Sequence, residues 1–189
     1  MKFPSGGGTN SHIIFDKIIS LENLFLAWRE FRRGKRKKLE IQQFEFNLED
    51  NLFQLHQDLQ RKIYKPDPYV TFYTRDPKLR HIHKASVRDR VFHQAIFRIL
   101  YPIFDRNFIF DSYSSRLHNG THAAINRLEI FLRKMSESNR RSVFVLKCDI
   151  SKFFDSIDQN ILLNLIKIRI FDQDCHWETL RVSCSQIFI

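Results

Sequence analysis

The segment Lys65-Pro66-Asp67-Pro68 constrains this chain more than any other. Proline has no amide donor, and its ring pushes the preceding residue out of the helical region. No helix runs through two prolines spaced this way, so the chain divides there. On the N-terminal side, Ile18, Leu21, Phe25 and Trp28 recur at helical spacing and predict a helix over 15–31. Phe44, Leu48, Leu52, Leu55 and Leu59 predict a second helix over 42–62, buried along that stripe. Between them lie Arg29, Arg32, Arg33, Lys35, Arg36, Lys37 and Lys38, with Gly34 inside the run. That run reads as a helix end followed by an exposed loop. Residues 1–12 are rich in Gly, Ser and Asn, and the segment 1–14 is expected to be disordered.

Beyond the prolines, residues 69–73 are β-branched and aromatic and read as a strand. Arg75-Asp76-Pro77-Lys78 is a turn signal, and 79–84 alternates as the return strand of a hairpin. A helix is predicted over 87–104 with Val91, Ala95, Ile99 and Ile103 inward. Another is predicted over 121–134 with Ala124, Leu128, Phe131 and Met135 as its apolar line. Residues 143–150 form an apolar run read as a strand. A last helix over 159–170 carries Ile161, Leu165 and Ile168, with Ser156 or Asp158 as its cap. Helices, hairpin, helices, strand, helix is an α+β order and not a βαβ alternation.

Composition narrows the partners. Hydrophobic residues make up 43% of 189, enough for a core. The formal charge of +10 favours a polyanion, either nucleic acid or an acidic membrane surface. No apolar run reaches the roughly 18 residues that cross a bilayer, and the first residues have no secretory core. Cys148, Cys175 and Cys184 are not closely paired, which fits a reducing, cytoplasmic compartment. His81/His83 and His118/His122 have ligand-like spacing for zinc. No Cys pair accompanies them, so surface or core histidines are the favoured reading.

The chemistry concentrates in Lys147-Cys148-Asp149-Ile150-Ser151-Lys152-Phe153-Phe154-Asp155-Ser156-Ile157-Asp158. In a strand, side chains alternate faces. Phe144, Leu146, Cys148 and Ile150 then form an apolar face expected to pack on helices, and Asp149 emerges on the other. Hard cations such as Mg²⁺ take oxygen ligands, often one or two carboxylates with phosphates and water. Asp149 alone reads more readily as a cap for the following helix, a balance that the complete string reverses, and Asp155 and Asp158 read as caps more readily than as ligands. Arg75 to Lys84 places cations at a hairpin tip, suited to a triphosphate or simply solvated. Ser86-Val87-Arg88-Asp89-Arg90-Val91 opens a helix, with Asp89 placed to suit the helix dipole. Arg88 and Arg90 are placed either to pair with Asp89 or to touch phosphates. Outside the N-terminal run the glycines are Gly34 and Gly120. Gly120 before a Thr-capped helix predicts a close backbone approach or a positive-φ turn.

Taken in order, these segments resemble the prokaryotic reverse transcriptases. The resemblance covers about residues 21–165 and is nearest to group II intron, retron and diversity-generating retroelement enzymes. It implies an RNA-directed DNA polymerase with Mg²⁺ or Mn²⁺ as cofactor, dNTP as substrate, and an RNA template with its primer or hybrid duplex as partner. An element-encoded RNA or accessory protein would be a further partner, and no membrane is involved. By resemblance Asp149 is the catalytic metal ligand and Ile150 lends a backbone carbonyl. Phe154 matches the gate that excludes a ribose 2′-OH. Arg80 is the foremost triphosphate ligand, with Arg75 and Lys78 as candidates. Template contact falls to Arg32, Arg33, Lys35, Arg36, Lys37, Lys38, Arg88, Arg90, Arg116, Gly120 and Thr121. The usual pattern has another glycine where this chain has His118.

The implied organisation is a disordered 1–14, a helical region over 15–64, fingers over 65–140 and a partial palm over 141–189. Two-metal transfer needs further carboxylates. The family takes them from a later Tyr/Phe-x-Asp-Asp, and no such tetrapeptide occurs in this sequence. The expectation is thus the fingers and first part of the palm of a right-hand polymerase, truncated before the second catalytic motif and inactive alone. The alternative is a non-catalytic basic RNA-binding remnant or maturase-like module of a retroelement.

Overall fold

The computed structural model describes residues 13–114, 116–117, 119–151, 153 and 156–170. Its regular elements are seven α-helices and one two-stranded antiparallel sheet: α1 Ile13–Ile19, α2 Leu21–Phe31, α3 Leu39–Phe46, α4 Leu48–Gln60, β1 Val70–Asp76, β2 Lys78–Lys84, α5 Val87–Asp105, α6 Thr121–Met135 and α7 Gln159–Arg169. That mixture is compatible with the α+β expectation. The described residues form two compact units, one drawn from 13–100 and 156–170, the other from 101–153. The division falls inside α5, just before Pro102, which removes one helical hydrogen bond.

The first unit holds the main core. α2 packs on α4, with α1 against both and α3 against α4. Leu24, Ala27, Trp28, Leu52, Leu55, Leu59, Val91, Phe92 and Ala95 are almost wholly buried. Each large side chain there contributes about 1.5–3 kcal/mol relative to exposure. Trp28 meets Phe44 with ring centroids 5.1 Å apart. Asn23 stitches three helices together. Its Nδ2 donates to Ile18 O at 2.9 Å and Ala95 O at 3.1 Å, and its Oδ1 accepts from Arg98 Nε at 3.1 Å.

The expected helix over 15–31 is two helices. Ser20 leaves the helical region, its Oγ accepts from Asn23 N–H at 3.3 Å, and it thereby caps α2. The expected helix over 42–62 is also two. α3 starts earlier, at Leu39, and Asn47 at φ −115° and ψ 43° separates it from α4. Leu52, Leu55 and Leu59 of the expected stripe are buried, whereas Phe44 and Leu48 are half-buried. In α5 the inward set is Val91, Phe92, Ala95, Ile96 and Leu100, with Ile99 and Ile103 half-buried. α1 begins at Ile13, so the last two residues of the segment 1–14 are helical.

The strand expected over 143–150 does not form, since residues 142–150 carry no regular secondary structure. The face expected to pack on helices is open instead: Phe144 is 97% exposed, Leu146 87% and Ile150 63%. Strands are stabilised by cross-strand partners, and β1 and β2 pair with each other alone among the described residues. A β-prone run without a partner has no ladder to join. The apolar line of α6 is likewise unburied, because no residue of that helix is buried. In α7 the buried residue is Leu163, while Ile161, Leu165 and Ile168 are exposed. The segment 1–12, Ser115, His118, Lys152, Phe154, Asp155 and the tail 171–189 lie outside the described residues.

Candidate nucleic-acid interface

The basic loop between α2 and α3 is built from short turns. Lys35 N–H donates to Arg32 O and Lys38 N–H to Lys35 O, both at 3.0 Å. Gly34 sits at φ +71°, where a side chain would be strained. Arg33, Arg36, Lys37 and Lys38 are exposed, whereas Arg32 and Lys35 are half-buried. Arg32 pairs with Glu45. Lys35 places its Nζ 4.1 Å from the Phe31 ring centroid. Burial first, then the charges of Arg90 and Lys38, push the Lys35 ammonium below its ordinary pKa.

The hairpin turns at Pro77, with Tyr73 opposite His81, Thr74 opposite Arg80 and Arg75 opposite Leu79. Arg75, Lys78 and Arg80, the expected triphosphate ligands, are all exposed around this tip and carry no ion pair among the described residues. Glu40 anchors the hairpin's last residue. It takes Lys84 Nζ at 2.5 Å and Arg90 Nη2 at 3.1 Å. Burial alone pushes the Glu40 carboxyl up, but those two cations more than offset it and hold it below its ordinary pKa.

Arg88 and Arg90 are held inside the first unit. Arg88 pairs with Asp58 at 2.6 Å, donates to Lys65 O at 3.2 Å and lies 3.9 Å from Asp89. Arg90 serves Glu40 and donates to Ser86 O at 3.3 Å. Asp89 is completely buried. It accepts from Tyr64 Oη at 2.7 Å and from Asp67 N–H at 2.9 Å. The expected dipole role thus falls to a carboxylate that also fastens the proline segment to α5. Burial first, and then Asp89, push the Tyr64 phenol far above its usual range.

In the second unit Arg116 pairs with Asp105 at 2.7 Å and donates to Ile109 O at 3.1 Å and Ser112 O at 3.3 Å. It closes the loop after α5, and its hydrogen bond is the foremost cause of the Asp105 carboxyl lying below its usual pKa. Arg127, which the motifs did not single out, holds Asp111 at 2.8 Å and lies 4.4 Å from the Phe131 ring centroid. Gly120 departs from expectation. Its φ is −81°, nothing lies within 4 Å of an added Cβ, and it is itself the α6 N-cap, with Thr121 the first helical residue. A glycine at an N-cap needs neither a left-handed turn nor a close approach.

Asp149 is exposed, and its Oδ1 accepts from Ile150 N–H at 3.0 Å. Asp158 caps α7, accepting from Asn160 N–H at 2.8 Å and Ile161 N–H at 3.1 Å. No group of three or more His, Cys, Asp or Glu placed to hold a metal occurs among the described residues. Phe154 and Asp155 lie outside those residues. No described helix is long and apolar enough to cross a membrane. An exposed carboxylate fits one ligand position of a hard-cation site and leaves the others to phosphate, water or other groups.

The turn signal Arg75-Asp76-Pro77-Lys78 marks the hairpin but not its register: the chain turns about Pro77, which sets Tyr73 opposite His81. The Tyr64–Asp89 bond spans twenty-five residues, and no local pattern marks it.

No protein-family model matches this chain. Over 107 residues it is 28% identical to Protein YkfC of Escherichia coli strain K12. That stretch is 55% of this chain and 28% of the relative, so the chain spans well under a third of that protein.

Proposed function

We propose that this chain is the fingers and first palm portion of an RNA-directed DNA polymerase of the retroelement type. The observation that carries the reading is the order of three motifs: the basic hairpin, the Arg88-Asp89-Arg90-Val91 helix start and the string around Asp149. Two features support it. The hairpin forms with an exposed cationic tip and leads directly into α5. Asp149 is an exposed carboxylate free of any cation among the described residues.

In this reading Arg80, Arg75 and Lys78 meet the triphosphate, and Asp149 with the Ile150 carbonyl holds Mg²⁺. The bound ion supplies positive charge where phosphoryl charge develops. Phe154 sterically excludes the ribose 2′-OH. Arg33, Arg36, Lys37 and Lys38 meet the phosphates of template or duplex. Arg88, Arg90 and Arg116, committed to ion pairs, position the surfaces that carry these contacts.

The test joins this chain to the remaining polymerase portion of a longer relative and measures dNTP incorporation on a primed RNA. Asp149→Asn should abolish synthesis and leave template binding within about twofold, since Asn keeps the shape and loses the charge. The 189-residue chain alone should extend no primer. Full activity in the Asn variant would sink the assignment.

A second reading, a non-catalytic RNA-binding module, is favoured by the single carboxylate at 149 beside a surplus of exposed cations. It predicts the same binding by the chain alone, but no synthesis by the joined protein.

A further inference from the structure

One face of the hairpin carries a row of aromatic rings between its base and its tip. The antiparallel register sets Tyr73 opposite His81 and Thr71 opposite His83, and strand alternation puts all four on the same face with Arg75 and Leu79. The rings touch in series. Tyr73 and His81 lie 4.6 Å apart and 17° from parallel. His81 and His83 meet edge to face at 4.3 Å, and His83 meets Tyr69 at 5.9 Å. Buried aromatics would need no further account, but these are open: Tyr73 is 67% exposed, and His81 and His83 are also exposed. A zinc role for the two histidines finds no third ligand among the described residues.

A stacked, exposed aromatic pair with exposed Arg75 on the same face, and Lys78 and Arg80 on the other side of the tip, matches the chemistry of an unpaired nucleobase followed by its phosphate. Single-strand binders combine these two elements, and stacking is tolerant of base identity because every base offers a π-face. A duplex hides its base faces. We infer that this face is a stacking platform for the unpaired bases of a single-stranded polynucleotide, with Tyr73 and His81 taking one base and Arg75 of the same face its phosphate. The inference rests on the nucleic-acid reading above and adds a preference for single strands at a named pair of rings.

The probe is a short single-stranded oligonucleotide carrying 2-aminopurine, titrated with the full chain, beside a hybrid duplex of the same length. The parent chain should change the probe's fluorescence on binding. Tyr73→Ala with His81→Ala should abolish that change and weaken single-strand binding about tenfold, with duplex affinity unchanged. Tyr73→Phe should behave as the parent, and Tyr73→Leu, which retains a β-compatible apolar side chain, should lose the stacking signal even if the alanine variant proves unstable. An unaltered signal in the leucine variant, or equal losses for duplex and single strand, overturns the platform. Duplex binding by the parent without any stacking signal overturns the platform and spares the wider reading. Failure of the parent to bind either probe overturns both.

Discussion

A carboxylate with no exposed surface must find all its partners inside the protein, and Asp89 does so with Tyr64, Asp67 and nearby Arg88. Asp89→Asn turns one acceptor into a donor that faces the Asp67 N–H or the Tyr64 hydroxyl. A buried polar group left unsatisfied costs roughly 1–3 kcal/mol. Urea denaturation should show a loss of that size, and Tyr64→Phe, which leaves a buried carboxylate oxygen without its donor, should show one as well. A stability unchanged in Asp89→Asn would mean the network is not formed. Asp89 was legible in the sequence as an acid in a first helical turn. Its partner was not, because the Tyr64 ring reaches it only through the turn that ends α4.

That turn carries its own signature at the scale of elements. Lys62 sits at φ +59°, the left-handed region, while Ile63 and Tyr64 N–H both reach back to Asp58 O, at 3.0 and 3.1 Å. Left-handed backbone costs an L-residue roughly 1–2 kcal/mol, and glycine is free of that penalty. Lys62→Gly should therefore raise stability by up to about 1 kcal/mol, after glycine's greater unfolded-state entropy is set against it. A lowered denaturation midpoint would argue against this turn. Most element positions were legible from apolar spacing and from the prolines, and the hairpin follows its turn signal closely. The breaks at Ser20 and Asn47 were hidden because α1 and α2 share an apolar face, as do α3 and α4, so the periodicity runs on through each interruption. Ser20 followed by Asn23 was the available local cue. The run 143–150 failed for a different reason: strand propensity is half of a pairing, and the other half must come from elsewhere.

At the scale of the whole molecule, the +10 charge is unevenly employed. Arg32, Arg88, Arg90, Arg98, Arg116 and Arg127 are bound to carboxylates, whereas the cations of the loop after α2 and of the hairpin tip are two exposed clusters without such partners among the described residues. Phosphate contacts release counterions, so log K falls with log salt by about 0.7–0.9 per contact. Changing Arg33, Arg36, Lys37 and Lys38 to Gln should flatten that slope by up to about 3 and weaken binding irrespective of sequence. An unchanged slope would remove the loop from the interface. Of the candidate site, the residue types and their order were legible; which arginines are already spent on internal pairs was not, since that depends on Glu40, Asp58 and Asp105 arriving from other elements.

The open stretch around Phe144 and Leu146 has a consequence for the life of the chain in a cell. Between Arg140–Arg141 and Lys147 lies a short greasy run with no fixed backbone pairing, which is what holdase chaperones and ATP-driven proteases grip. Such machinery acts on accessible segments without fixed structure, so capture there adds to whatever the stability of the rest permits. Turnover of this chain in a cell should accordingly depend on access to residues 143–150, and covering them should slow its degradation in a pulse-chase measurement.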